Sequence, residues 1–236
     1  MGNINNIEAQ RESAKLGLQT FFMDVENNFH DRISDETIHI FEKKIIDAKT
    51  KDRSDEYERG DYSGPTMEIY FMEQELKAIS EMKILYAYKH FENKLKFLLS
   101  AAYGASKSKM FKWEFVIEFL KEKNIDIKSI NCYPEINELR NLNNCIKHSD
   151  DIKNDSRMTS IREFQKKTFI QYEDILFFYK RIENAPSAFI YSLSDYIFKD
   201  LYVFDENRID QEAEKIALRM TKTEASILIE KLKKKY

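Results

Sequence analysis

The stretch from Glu138 to Asp151, which reads ELRNLNNCIKHSDD, holds the residues of this chain best suited to chemistry. At about 100° per residue, Arg140, Asn144 and His148 lie within about 80° of one another and form one polar stripe on a helix. An imidazole can take or give a proton near neutral pH, and a guanidinium can hold an anion through two hydrogen bonds. The stripe is therefore suited to proton transfer on an anionic substrate.

The same segment also predicts how this stripe is positioned. A neighbouring apolar stripe is expected to face a core and is made of Ile136, Leu139, Leu142 and Ile146. Asn lowers helix stability because it offers the backbone competing hydrogen bonds, so Lys and Glu would suit a merely solvated face better. The amides therefore point to a function, although Asn is common along the whole chain and composition alone accounts for part of the clustering.

Other familiar sites are missing from the sequence. It has no GxxxxGK(S/T) or GxGxxG loop for phosphates and no HExxH for zinc. Cys132 and Cys145 form no CxxC pair, so we predict neither a zinc site nor a disulfide framework, and we expect a reducing cytoplasm. The remaining histidines, His30, His39 and His90, each stand singly among core-like residues and are interpreted as structural. No cofactor is expected.

Composition predicts a nearly all-α fold. Hydrophobic residues make up 42% of the 236 residues and charged residues 33%, which is typical of an ordinary globular protein, and 5 Gly and 3 Pro are too few for a turn-rich β fold. The net charge of -3 argues against a protein that coats nucleic acid non-specifically. We expect no signal peptide and no membrane-spanning helix, because no apolar run is long enough.

Hydrophobic spacing divides the chain around one long helix. This helix is predicted from Pro65 to about Tyr103, with Gly104 as a left-handed C-cap, and a shorter helix that contains Trp113 follows. Ser34 is expected to cap an earlier helix, and Thr221 with Glu224 is expected to form a capping box for the last helix. The predicted organisation is a bundle with N-terminal helices at 1–52, a polar loop at 53–65, a helical core at 66–151, and C-terminal helices that pack on this core at 152–236.

Three features together resemble the HEPN superfamily of helical nucleotide-binding domains. They are the long helix with LYAYKHFENKLKFLL, the Trp-bearing helix and the segment LRNLNNCIKHSD, and they cover about Pro65 to Asp151. Many HEPN domains are metal-independent endoribonucleases, and others are non-catalytic. The resemblance implies that His148 is the family histidine. The family arginine then falls on Asn143, and the nearest arginine, Arg140, stands one turn earlier.

The resemblance also implies roles for individual residues in RNA cleavage. The ribose 2′-OH would attack its own phosphate, with His148 transferring the proton, Arg140 binding the phosphate oxygens, and Asn144 holding the imidazole or the phosphate. We assign Asn143 and Lys147 to substrate binding. Glu92 is similar to a family glutamate that orients the arginine, and an exposed ion pair with Lys96 is the alternative.

We expect a homodimer, because the long spacing of Arg140 and His148 separates them by about 12 Å along one helix. A two-fold axis could bring Arg140 of one chain near His148 of the other. The first interpretation is an RNase effector in a toxin–antitoxin or anti-phage system, with RNA as substrate and an antitoxin or other protein as a further partner. The second is a non-catalytic interaction and dimerisation module. Residues 157–236 could carry a separate sensing role.

Overall fold

The computed structural model describes residues 4–20, 29–59, 64–106, 108–110, 112–148 and 156–235, and these contain helices and connecting turns without any strand. This confirms the predicted all-α bundle. The α-helices are α1 (Ile4–Thr20), α2 (Phe29–Arg59), α3 (Gly64–Tyr103), α4 (Trp113–Glu122), α5 (Tyr133–His148), α6 (Ser156–Thr159), α7 (Tyr172–Ile182), α8 (Ala185–Tyr202), α9 (Glu206–Ala217) and α10 (Lys222–Lys233). Short 3-10 helices cover Ile127–Ser129 and Arg162–Phe164.

Helix α3 is the long central helix that the sequence predicts. It has 40 residues, which corresponds to a length of about 60 Å. Gly104 ends it with φ of 64°, and its amide donates to the Ser100 carbonyl at 2.9 Å. A residue with a Cβ is strained at this φ, so glycine is the residue that ends the helix at least cost. The predicted C-cap is confirmed.

The main core lies between the second half of α3 and helices α4, α5, α7 and α8. Phe91 of α3 stands at its centre, with ring centroids 5.4 Å from Phe189 of α8 and 6.4 Å from Trp113 of α4. The edge-to-face contact with Phe189 is a geometry that aromatic pairs prefer. Helix α1 joins this core through the buried side chain of Leu18, whose carbonyl accepts a 2.7 Å hydrogen bond from the Ser194 hydroxyl of α8.

A second, smaller apolar cluster fixes α2 to the first half of α3. Ile38 and Ile45 of α2 are buried with Leu76 of α3, and Tyr172 and Leu176 of α7 pack at the edge. The buried Lys83 of α3 forms an ion pair with Asp35 of α2 and lies 4.4 Å from the ring centroid of Tyr179. Burying an ammonium is tolerated only when it is paired, so this contact fixes the position of α2.

Two expectations about the first third of the chain differ from the structure. Helix α2 is already formed at Phe29 and continues to Arg59, so Ser34 lies inside the helix and not at its start, and 53–59 is helix instead of loop. The reason is composition: 53–59 holds Glu and Arg, which favour helices, whereas Gly60 is the first helix breaker in the sequence. Of the rest of the expected loop, 60–63 lies outside the described residues, and Gly64 and Pro65 belong to α3.

The helices of the C-terminal third differ in burial. Helices α7 and α8 contribute buried residues to the main core, among them Phe178 and Phe189. By contrast, neither α9 nor α10 contains a buried residue. These two helices therefore add no buried residue to the core. The capping box of Thr221 and Glu224 at the start of α10 is present as predicted.

Candidate functional site

Helix α5 is enclosed by protein over most of its circumference. The predicted apolar stripe faces the core, since Ile136, Leu139 and Leu142 are fully buried and Ile146 is half-buried. The buried arc is wider than the sequence indicates, because it also takes in Asn141, Asn143 and Cys145. The accessible side chains of α5 include Asn137, Arg140, Asn144, Lys147 and His148, which lie within about 100° of one another, and also Pro134, Glu135 and Glu138.

Arg140 is held against α4. Its guanidinium carbon lies 5.7 Å from the ring centroid of Trp113, and its Nη2 donates to Oδ1 of Asn137 at 3.2 Å. Its Nε is buried and has no hydrogen-bond partner among the described residues. The stacking and the hydrogen bond fix the guanidinium towards the N-terminal half of α5, since helical side chains lean towards the N-terminus.

His148 is the last residue of α5, and its side chain is exposed, as is that of Lys147. Eight residues at 1.5 Å each put its Cα about 12 Å along the helix axis from that of Arg140. Because Arg140 leans the other way, one chain does not bring the guanidinium and the imidazole together. The segment SDDIKND continues beyond the helix, and 149–155 lies outside the described residues.

Asn143 and Asn144 form one amide pair. Nδ2 of Asn143 donates to Oδ1 of Asn144 at 3.2 Å, which orients the half-buried Asn144 so that its own Nδ2 is the atom able to donate outwards. Asn143 is only 1% exposed, so a predicted role in binding substrate would be carried out through Asn144. The Oδ1 atoms of Asn141 and Asn143 are buried and have no partner within the described part of the chain.

Glu92 lies on α3 and forms an ion pair with Lys96, at 3.1 Å, which is the alternative that the sequence leaves open. It still shares an environment with Arg140, because both act on Tyr88. The pKa of Tyr88 is raised to about 12, first by burial and then by the negative charge of Glu92, while the positive charge of Arg140 acts to lower it. Glu92 therefore contributes a negative field near the guanidinium without pairing with it.

A second charged cluster anchors the other side of α5 and was not found from the sequence. Arg181 of α7 donates to both carboxylate oxygens of Glu163, each at 2.8 Å, and to Glu138 of α5 at 2.8 Å. The hydrogen bonds from Arg181 hold the pKa of Glu163 below its usual range, and those to Glu163 raise the pKa of Arg181. Only a three-dimensional fold brings these three residues together, so no sequence spacing could have indicated them.

The described residues hold no cluster of three or more His, Cys, Asp or Glu side chains arranged to bind a metal ion. None of the helices within the described ranges is long and apolar enough to cross a bilayer. No protein-family model matches the chain, and neither a curated protein nor a solved structure matches it.

Proposed function

We propose that this chain is a metal-independent endoribonuclease of the HEPN type, which acts as a homodimer in a toxin or anti-phage defence system. One observation carries the proposal. Within about 100° of its circumference, α5 presents two amides, a guanidinium, an ammonium and an imidazole, on Asn137, Asn144, Arg140, Lys147 and His148. These groups bind phosphate and transfer protons, and a rigid helix presents them together.

The proposed reaction is an internal transfer of the phosphodiester. The ribose 2′-oxygen forms a bond to the adjacent phosphorus while the bond from phosphorus to the 5′-oxygen breaks, which leaves a 2′,3′-cyclic phosphate and a 5′-hydroxyl. The exposed imidazole of His148 accepts the proton of the 2′-OH, and solvent water supplies the proton that the departing 5′-oxygen gains. The imidazolium then returns its proton to the solvent, so no net proton is gained or lost. The outward Nδ2 of Asn144 hydrogen-bonds a phosphate oxygen, and Lys147 adds local positive charge.

The geometry of Arg140 supports a site shared between two chains. Trp113 and Asn137 hold the guanidinium about two helical turns before His148 and directed away from it. Two copies of α5 running antiparallel across a two-fold axis would place each Arg140 close to the His148 of the other copy. The guanidinium would then stabilise the charge that develops on the phosphate, and neither chain alone would form a complete site.

Cleavage of a labelled RNA by purified protein tests this function. His148→Ala should lower the cleavage rate by about 10²- to 10⁴-fold, which is the usual contribution of a general acid or base. His39→Ala is the matched control, since His39 is also exposed on a helix but lies on α2, away from the site. Equal cleavage by wild type, His148→Ala and His39→Ala would contradict the proposal, as would intact RNA in all three reactions.

The contacts of Arg140 favour a second function, a non-catalytic HEPN-like module for interaction and dimerisation. A guanidinium that is stacked on Trp113 and bonded to Asn137 within its own chain can serve packing alone. Under this alternative, Arg140→Ala lowers the free energy of unfolding and wild-type protein leaves RNA intact. Induced expression in cells separates the two functions further, because growth arrest that His148→Ala relieves would support only the nuclease.

A further inference from the structure

The C-terminal arm, defined as α9 and α10 (Glu206–Lys233), exposes an apolar face that the described residues do not cover. At about 100° per residue, Ile209 and Ile216 share one side of α9, and Leu228, Ile229 and Leu232 share one side of α10. Neither helix has a buried residue, and Ile209, Ile229 and Leu232 are each about half exposed. Helices of 12 residues are marginal in water alone, so this face needs a cover.

The base of the arm is firmly attached. Arg208 donates to the carbonyls of Lys199 and Val203 at 3.0 and 2.9 Å and to that of Asp200, and its guanidinium lies 4.4 Å from the ring centroid of Phe204. These bonds satisfy carbonyls at the end of α8, which have no partner within that helix. The arm is therefore held in a set position by polar contacts while its apolar side stays open.

Charge indicates what covers the apolar face. Glu206, Asp210 and Glu214 are spaced four residues apart and form an acidic row along one edge of the apolar side of α9. Within the described part of the arm, the ion pairs are Lys215 with Glu212 and Lys233 with Glu230, and each lies inside one helix. None joins the acidic row to α10, so the row is available to another molecule.

Helix α10 supplies the opposite charge. Lys222 lies on one border of its apolar side and Lys231 on the other, Lys235 follows the helix, and no ion pair with a described residue engages these lysines. The acidic row of α9 and the lysines around the apolar side of α10 are complementary when a second hairpin is turned by a two-fold rotation, because α9 then meets α10 of the other copy. A partner with a single sign of charge would match only one of the two helices.

We propose that the C-terminal arm is a homodimerisation surface, on which the arm of a second copy of this chain packs so that α9 of each copy meets α10 of the other. The two apolar sides close against each other, and the acidic row of one copy pairs with the lysines of its partner. The surface provides the two-fold dimeric state that the proposed function requires, and it rests on that function for its biological purpose. Its geometry does not depend on any RNA chemistry.

Sedimentation velocity of the full chain with charge-reversed variants tests the surface. The acid-reversed variant is Glu206→Lys, Asp210→Lys and Glu214→Lys together, and the base-reversed variant is Lys222→Glu, Lys231→Glu and Lys235→Glu together. Each alone should dimerise at least about tenfold more weakly than wild type, since each homodimer would place like charges in contact. A mixture of the two should recover dimers of wild-type strength, because every contact across the heterodimer then joins opposite charges.

Recovery in the mixture excludes misfolding as the cause of the loss. A chain that stays monomeric at every concentration would overturn the proposal, and so would a dimer that is equally strong in both variants or a loss that mixing does not restore. RNA cleavage in the same samples separates this proposal from the proposed function. Dimers that behave as expected but leave RNA intact would support the surface and contradict the nuclease.

Discussion

Helix α5 and the C-terminal arm show opposite relations between burial and charge. Six side chains of α5 are buried, among them the amides of Asn141 and Asn143, and its accessible guanidinium, ammonium and imidazole lie on one side. The arm buries none of its residues and has an apolar side open to solvent. Polar groups on a largely buried helix are rigid enough for chemistry, whereas an open apolar side on an anchored hairpin is suited to association. We therefore propose the chemistry for α5 and an apolar dimer contact for the arm.

The largest stability difference between the two regions should come from removing one leucine in each. Leu142→Ala in α5 should lower the free energy of unfolding by about 2–5 kcal/mol, because Leu142 is fully buried and its removal leaves a cavity. Leu232→Ala in the arm should change it by less than about 0.5 kcal/mol at protein concentrations that favour monomers. Urea unfolding measures both changes in free energy, and similar values for the two variants would contradict the difference in burial between α5 and the arm.

The anchor of α5 at Arg181 should depend on pH. Glu163→Gln weakens the hydrogen bonds from Arg181 and should lower the free energy of unfolding by roughly 1–3 kcal/mol at neutral pH. The folded chain lowers the pKa of Glu163, so its contribution is fully present above the ordinary Glu pKa and is lost as pH falls through the lowered folded value. Urea unfolding along a pH series should show that the difference in free energy of unfolding between wild type and Glu163→Gln becomes smaller as the pH falls. A difference that grows in acid would be inconsistent with this ion pair.

The position of Arg140 should depend on the indole of Trp113. Trp113→Phe keeps a ring but weakens the stacking, and we expect a loss of about 1 kcal/mol in stability. Under the proposed function, it should also lower RNA cleavage, because the guanidinium is less well fixed. Phe177→Leu on the exposed side of α7 is the matched control and should change neither property. Reduced stability with unchanged cleavage would assign Arg140 to packing alone.

Asn143 gives the smallest expected effect on stability. Its Oδ1 is buried without a partner, so Asn143→Leu removes an unsatisfied polar atom together with one hydrogen bond, and the two changes should nearly cancel. Cleavage should fall nonetheless, because Asn144 loses the donor that orients its amide. Thermal unfolding and RNA cleavage of the same sample check both parts. A loss above about 2 kcal/mol would show that the amide is essential to the core.

The sequence predicts the ends of helices correctly where those ends depend on residues that are adjacent in the chain. Gly104 ends α3 because φ is positive there, and Thr221 caps α10 through a local hydrogen-bond pair. At 53–59 the structure has helix where a loop is expected, because a polar, charged segment without Gly or Pro suits an exposed helix as well as a loop.

The candidate site is predicted only in part, because helical spacing describes neighbours along the chain and not contacts between helices. Helical spacing predicts which side of α5 faces the core and which side carries the polar residues. The structure agrees for Leu139, which is buried, and for His148, which is exposed. The stacking of Arg140 on Trp113 and the burial of Asn143 depend on where α3 and α4 pack, which the spacing within α5 does not contain. The roles of the site residues in catalysis stay predictions.

The most direct test of the central claim mixes two inactive variants. Arg140→Ala and His148→Ala should each cleave RNA at least about 10²-fold more slowly than wild type. If each site takes its guanidinium from one chain and its imidazole from the other, a mixture allowed to exchange subunits should recover about a quarter of wild-type activity. Half of the dimers are then mixed, and each mixed dimer keeps one of its two sites. A mixture as inactive as its components, while subunit exchange is demonstrated, would contradict a shared site.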